Sequence, residues 1–419
     1  MKLFQRLLVA PAALGLMAPL AANADITSVT NESEVIEARV DGVEAQLEEI
    51  QAGAFSSTTT MSGKTAFAIG YTDDDLQQNE DQVTFNYMFQ LNLNSSFTGE
   101  DLLYTRIKTG NFTKKGRFSN KANSDYLAAS NQNGDALKVD KLWYQFPVGD
   151  SLTVWVGPKI ENYYMLASAP SIYRPVTKQF ALGGNASTYG SSTSAGFGAA
   201  YTQQVEDPSD GRFAVSVNYT GKGAKDPSAG LLDDDSKEFF LSKVEYGTPQ
   251  WQVSAAFASK TNGNIKATNG QSGYDGYYHT GFGKHYDDDL TSIGLRAYWK
   301  PDSSGAVPQV QLGFDTASVD TDDTGEPDEM EAWMIGLGWT DLFMDGNRAG
   351  IAFGSRQYAT SFKNTDTKDV AKDNTVWEAY YTFKVNDGIT ITPAVFGGSN
   401  VIADDKDING AVLLTEFRF

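Results

Sequence analysis

The sequence contains no cysteine, two histidines and only 13 prolines in 419 residues. Without cysteine there is no disulfide framework and no thiolate-ligated zinc or iron–sulfur site. The histidines, His279 and His285, stand in a Gly/Asp/Tyr-rich segment with no placed carboxylate, a weak signal for a metal. They also leave few options for a nucleophile–base pair. No G-x-S-x-G, Walker loop, H-E-x-x-H or strand-to-helix G-x-G-x-x-G occurs, so no catalytic residue and no cofactor is expected. Basic charge is also short: the net charge of −20 argues against nucleic acid as a partner. Past residue 24 there is no apolar run of the ~18 residues that a membrane helix needs. That absence leaves a membrane barrel open, because a barrel wall needs only every second residue apolar.

What is present begins with a leader. "MKLFQR" supplies Lys2 and Arg6, "LLVAPAALGLMAPLA" is apolar but broken by Pro11 and Pro19, and Ala22–Asn23–Ala24 has the form of a cleavage site. The pattern predicts a secretory signal peptide over 1–24 and a mature chain from Asp25. Within 25–54, Ile36, Val40, Val43, Leu47 and Ile50 follow a 4-3-4-3 spacing, a coiled-coil seam of about three heptads. So short a helix is marginal alone. It either joins copies held by a larger body or packs as one amphipathic helix on its own domain.

From residue 55 to 419 the period changes to two. In "QVTFNYMFQLNLNSSF", Val83, Phe85, Tyr87, Phe89, Leu91, Leu93 and Phe97 form one face, while the other is polar except for Met88. At strand rise this segment spans about 50 Å, long for a sandwich and suitable for a tilted membrane strand. The same alternation recurs sixteen times, ending in "AVLLTEFRF". Tight turns such as "TGE", "GD" and "NDG" alternate with long loops such as 113–136, 160–191, 222–237 and 260–289. Short turns at one end and long loops at the other are the organisation of an outer-membrane barrel. The expected fold is therefore all-β: a 16-stranded antiparallel transmembrane barrel with a water-filled lumen, preceded by a short coiled-coil helix. The closing strand cannot fray, which explains a chain that stops on Phe419.

The leader "MKLFQRLLVAPAALGL", the junction "RVDGVEAQLEEIQAGAFSSTTTMSGKTAFAIG" and the strand "WQVSAAFA" resemble cyanobacterial Som-type porins, which are similar to the wider carbohydrate-selective outer-membrane porins. The resemblance implies a homotrimer in a Gram-negative type outer membrane, in contact with membrane lipid and lipopolysaccharide. It also implies a third external loop folded into the pore, here 160–191. The family usually carries a peptidoglycan-holding surface-layer-homology domain ahead of the coiled coil. Only "DITSVTNESEVI" stands at that position, so anchoring of that kind is not expected.

Taking each apolar stripe as lipid-facing, the opposite parity turns Lys64, Arg106, Lys108, Lys141, Lys159, Arg212, Arg296, Arg356, Lys384 and Arg418 inward. Only Asp315, Glu378 and Glu416 accompany them. The "FFLSKVEY" strand gives no phase, since Phe239/Leu241 and Val244/Tyr246 disagree. Arg174 and Lys178 on the 160–191 loop add to the basic count. A ring of Arg and Lys favours anions in a pore, so the expectation is a passive channel for small hydrophilic solutes that favours inorganic anions. Neutral sugars are the alternative, and a surface adhesin a more distant one. Tyr163, Tyr164 and Tyr173 either form a sugar-stacking track or pack the loop on the wall. The acidic runs at 73–75, 233–235, 287–289 and 320–329 either hold surface Ca²⁺ or Mg²⁺ or remain solvated.

Overall fold

The computed structural model describes residues 56, 58–74, 82–113, 118–119, 125–184, 188–190, 193–232, 238–261, 289–322, 324, 327–364, 374–401 and 407–419. The signal peptide, the heptad segment, His279, His285 and the acidic run 233–235 lie outside these residues.

The chain from residue 58 forms a single sheet closed on itself. Its strands are β1 (Thr59–Asp74), β2 (Thr84–Ser95), β3 (Leu102–Gly110), β4 (Lys138–Val148), β5 (Leu152–Ile160), β6 (Ser194–Thr202), β7 (Arg212–Gly221), β8 (Glu238–Gly247) and β9 (Trp251–Lys260). They continue as β10 (Asp289–Trp299), β11 (Gln309–Asp320), β12 (Pro327–Thr340), β13 (Arg348–Gly354), β14 (Tyr358–Phe362), β15 (Thr375–Asn386), β16 (Ile389–Ser399) and β17 (Ile408–Arg418). Each pairs antiparallel with its neighbours, and β17 returns to β1 in a register from Lys64↔Arg418 to Asp74↔Ile408. β13 and β14 both pair with β12 and occupy one place in the wall, interrupted at 355–357. Seventeen segments thus fill sixteen wall positions.

Alternation along each strand sets the two surfaces. On β7, Phe213, Val215 and Val217 face out at 54%, 39% and 42% exposure, while Ala214, Ser216 and Asn218 face in at 3% or less. A continuous exposed apolar surface of this kind suits a hydrocarbon environment and not water. The undecided strand, β8, is phased by its inner half. Phe239, Leu241, Lys243 and Glu245 point inward, and Phe240 and Val244 outward. Phe239 and Leu241 are apolar because they pack against loop residues Leu166 and Tyr189 inside the barrel.

Connections at one end are short: 96–101, 149–151, 203–211, 248–250, 300–308, 341–347 and 387–388. The first is tied by Asp101, whose carboxylate accepts the Phe97 and Thr98 amides at 2.8 and 2.7 Å. The long connections leave the opposite end, and the described residues of two of them, 111–137 and 161–193, turn back into the lumen. Some acidic residues read as loop prove to extend strands: Asp73 and Asp74 end β1, Asp289 begins β10 and Asp320 ends β11.

Candidate pore constriction

The 161–193 loop is held by the inner wall at many points, and each hold can be traced to an inward side chain. Glu378 on β15 accepts four hydrogen bonds from it: Tyr173 Oη at 2.9 Å, the Val176 amide at 3.1 Å, and the Thr177 amide and hydroxyl at 2.7 and 2.6 Å. Arg296 on β10 donates from Nε to the Leu182 carbonyl at 2.9 Å and pairs through Nη2 with Asp315 of β11 at 2.7 Å. Lys243 donates to the Ser168 carbonyl at 3.0 Å, and the Ser168 hydroxyl donates to Glu245 at 2.8 Å. Asn218 donates to the carbonyls of Asn162 and Met165, and Lys260 to that of Gly190 at 3.1 Å. A buried loop carries backbone groups that need partners; the inward polar side chains supply them.

Space for the loop comes from wall glycines. A Cβ on Gly313 would lie 1.6 Å from the Gly183 carbonyl oxygen, and one on Gly336 would lie 2.9 Å from the Tyr173 ring. Gly183 itself has φ +79°, a left-handed conformation that favours glycine. The other inward connection, 111–137, is bonded to the first. Ala128 N donates to the Val176 carbonyl at 2.8 Å and Lys178 N to the Tyr126 carbonyl at 2.7 Å. Phe112, Phe118 and Leu127 fill the space between this loop and the inner faces of β1, β16 and β17. Nothing in the alternation pattern signals this second plug; its apolar residues are irregularly spaced.

The residues singled out from sequence separate into three groups. The first group are clamps. Arg106 donates from Nε to Asp140 at 2.6 Å and from Nη1 to Tyr164 Oη at 3.0 Å, while Lys141 pairs with Glu161 at 3.3 Å. Arg296 belongs with them. At the short-turn end Lys64 pairs with Glu416, Arg418 lies 3.3 Å from Glu416, and Lys384 lies 2.8 Å from Asp387.

Two residues form the second group and correct the parity reading. Lys159 is exposed on the outward side: a register shift between Gly157 and Ile160 makes Ile160 the inward residue and sets Lys159 opposite the outward Leu142. Arg356 is 2% exposed in the interruption between β13 and β14, where its guanidinium donates to the Val401 carbonyl. It presents no charge to open space.

The third group faces the lumen. Arg174 is exposed, and Lys178 lies over the Tyr126 ring at 4.4 Å, close enough to Lys108 for the two charges to repel. Sequence parity missed two companions. Arg348, the first residue of β13, and Lys300, just past β10, line a cavity with Arg174. Both flank turns, where strand phase is hardest to extend. Among the described residues no carboxylate is within ion-pairing distance of Arg174, Arg348, Lys300, Lys178 or Lys108. The inward acids Asp140, Glu161, Glu245, Asp315, Glu378 and Glu416 are all engaged.

Of the tyrosines, Tyr173 is 6% exposed and packs beside Phe180 and Tyr380, so its ring serves the loop–wall contact. Tyr163 and Tyr164 stack at 5.0 Å and continue to Trp143 and Tyr104 at ring separations of 5.9 and 4.9 Å. Among the described residues no cluster of three or more metal-ligating side chains occurs.

A closed antiparallel barrel of sixteen wall positions, apolar outside and carrying a loop across its lumen, is a porin-type channel. The chain belongs to the carbohydrate-selective porin, OprB family, whose profile matches residues 21–396. It is 27% identical over 428 aligned positions to an uncharacterized protein of Nostoc sp., covering 93% of this chain and 70% of that one. An uncharacterized protein of Synechocystis sp. is 25% identical, covering 93% and 74%. Among solved structures it is similar in fold to Pseudomonas putida OprB (TM-score 0.54, 11% identity, 86% of this chain and 94% of that one). Salmonella typhi OmpF is similar to the same degree (TM-score 0.54, 14% identity, 86% and 97%). Family and fold are those of channels and point to a Gram-negative outer membrane.

Proposed function

We propose that this protein is a passive outer-membrane channel for small hydrophilic solutes that favours inorganic anions, working as a homotrimer in a cyanobacterial outer membrane among lipid and lipopolysaccharide. The observation that carries the anion preference is the imbalance of unpaired charge. Among the described residues Arg174, Arg348, Lys300, Lys178 and Lys108 stand free of carboxylates, whereas the inward acids are spent on clamps. The wall cations first counted toward selectivity mostly cancel at short range, so the field in the lumen comes from fewer residues, grouped at the loop edge. Charges several Å apart across a narrow aqueous gap act within one Debye length, about 8 Å at physiological salt. Reversal potentials in planar bilayers across a KCl gradient test the reading. Chloride preference is expected, weakened by Arg174→Glu; a cation-selective potential in the unaltered protein would overturn it.

A second reading, neutral sugars, is favoured by the family and by the aromatic run Tyr104–Trp143–Tyr164–Tyr163, since sugar rings stack on aromatic faces. Swelling of liposomes in glucose against sorbitol of equal osmolarity separates the two.

A further inference from the structure

Beneath the constriction loop, toward the short-turn end, lies a cavity of about 330 Å³. The loop segment Ser171–Arg174 roofs it; Lys300, Gln309 and Arg348 project from three strand ends, and Tyr380 closes one side. None of its lining residues is acidic. We propose that this cavity is a saturable binding site for a doubly charged oxyanion, inorganic phosphate or a small phosphate monoester, on the path through the pore. The proposal rests on the anion reading above and deepens it.

Three features set the cavity apart from a stretch of basic wall. The first is donor geometry. Two guanidinium groups, each a planar fork suited to bidentate contact with a tetrahedral oxyanion, share one space with an ammonium group. Three unpaired cations match a doubly charged phosphate better than a halide, which offers one charge and a single acceptor atom.

Preorganisation is the second. Tyr380 Oη donates to the Arg174 carbonyl at 2.7 Å, and the adjacent Tyr173 is fixed by Glu378. The loop backbone that carries Arg174 is therefore set before a solute arrives, and less ordering cost falls on binding.

The third is room. Gly336 lies under the Tyr173 ring, but the Cβ position of Gly338, two residues along the same inward face, has nothing within 4 Å. Gly338 keeps the floor open. A neighbouring cavity of about 250 Å³ toward the short-turn mouth shares Arg174 and Arg348 and adds Lys384 and Arg418 together with the carboxylates Asp387 and Glu416. Those carboxylates pair with the added cations, so the unpaired basic charge is concentrated at the first cavity and falls off toward the mouth, where bound oxyanion leaves.

The test is block of chloride current by inorganic phosphate in planar bilayers with the full-length protein. The expected result is a saturating fall in conductance with half-block in the millimolar range, reproduced by sulfate and absent with nitrate. Gly338→Asp puts a carboxylate on the cavity floor at a position where the Cβ meets nothing within 4 Å, and Arg174→Gln removes one fork. Either is expected to raise the half-blocking concentration by about tenfold or more, a loss of ~1.4 kcal/mol. Lys225→Gln, with the same charge change on the exposed connection after β7 and outside the cavity, leaves it where it was. Heat-modifiable gel mobility confirms that each variant is a folded barrel. A phosphate effect that does not saturate, or one unchanged in Gly338→Asp, overturns the site. Chloride-selective reversal potentials without saturable block sink the site and leave the anion reading standing. Saturable block in a channel without chloride preference does the reverse.

Discussion

Glu378 accepts a hydrogen bond from Tyr173 across 205 positions of sequence, and both residues are buried. The carboxylate stands on the inner wall of β15, and the tyrosine stands on the loop that narrows the pore. Glu378 also takes both donors of Thr177, so one side chain fixes a five-residue stretch of the constriction. Hydrogen bonds to a charged group contribute about 1.5–3 kcal/mol each. Glu378→Ala is expected to leave the barrel intact, since β15 pairs through its backbone, but to release segment 173–177. Single-channel recordings check this: larger mean conductance and added current noise are expected, with Glu378→Gln intermediate. Recordings as quiet as those of the unaltered protein would show that the loop is held elsewhere.

The buried pair Arg296–Asp315 gives a stability test. Both side chains are about 3% exposed or less, and removing one partner of such a pair costs about 3–5 kcal/mol because the other charge is left buried. Arg296→Met is expected to lower the thermal unfolding midpoint markedly. The double variant Arg296→Met/Asp315→Leu is expected to recover much of the loss, because neither member of the pair is left without the other. Additive losses in the double variant would mean that the pair is not the cause.

Wall glycines make a matched comparison. Gly313→Ala forces a Cβ against the Gly183 backbone at 1.6 Å, so the loop has to move. Gly338→Ala meets nothing within 4 Å. Altered conductance is expected from the first and close to unaltered conductance from the second. Equal effects would mean that the loop does not rest on this part of the wall.

Closure of β1 on β17 makes the sheet from Thr59 to Arg418 complete without the preceding segment. Deleting 25–54 is therefore expected to leave a barrel that inserts and conducts. If the deletion abolishes heat-modifiable mobility, the segment is part of the fold.

Strand number, parity and the alternation of turn with loop were legible in the sequence. A period of two is a local property: neighbours i and i+2 share a face whatever the rest of the chain does. Phe213, Val215 and Val217 announced the outer face of β7 by themselves, and the sequence likewise marked Arg106, Lys141 and Arg296 as inward. Their partners were another matter. Arg106 meets Tyr164, Arg296 meets the Leu182 carbonyl and Lys243 meets Ser168, over separations of 58, 114 and 75 residues. Whether an inward cation is a free charge or a clamp is decided by a loop folded across the lumen, and alternation carries no information about that path. One register shift was enough to turn Lys159 outward, because slipping a strand by one residue exchanges its faces. An interrupted wall position likewise buried Arg356. The tertiary structure alone chose Arg174, Arg348 and Lys300 as neighbours, since closing the sheet into a barrel brings strand ends and loop edge around one space that no local pattern describes.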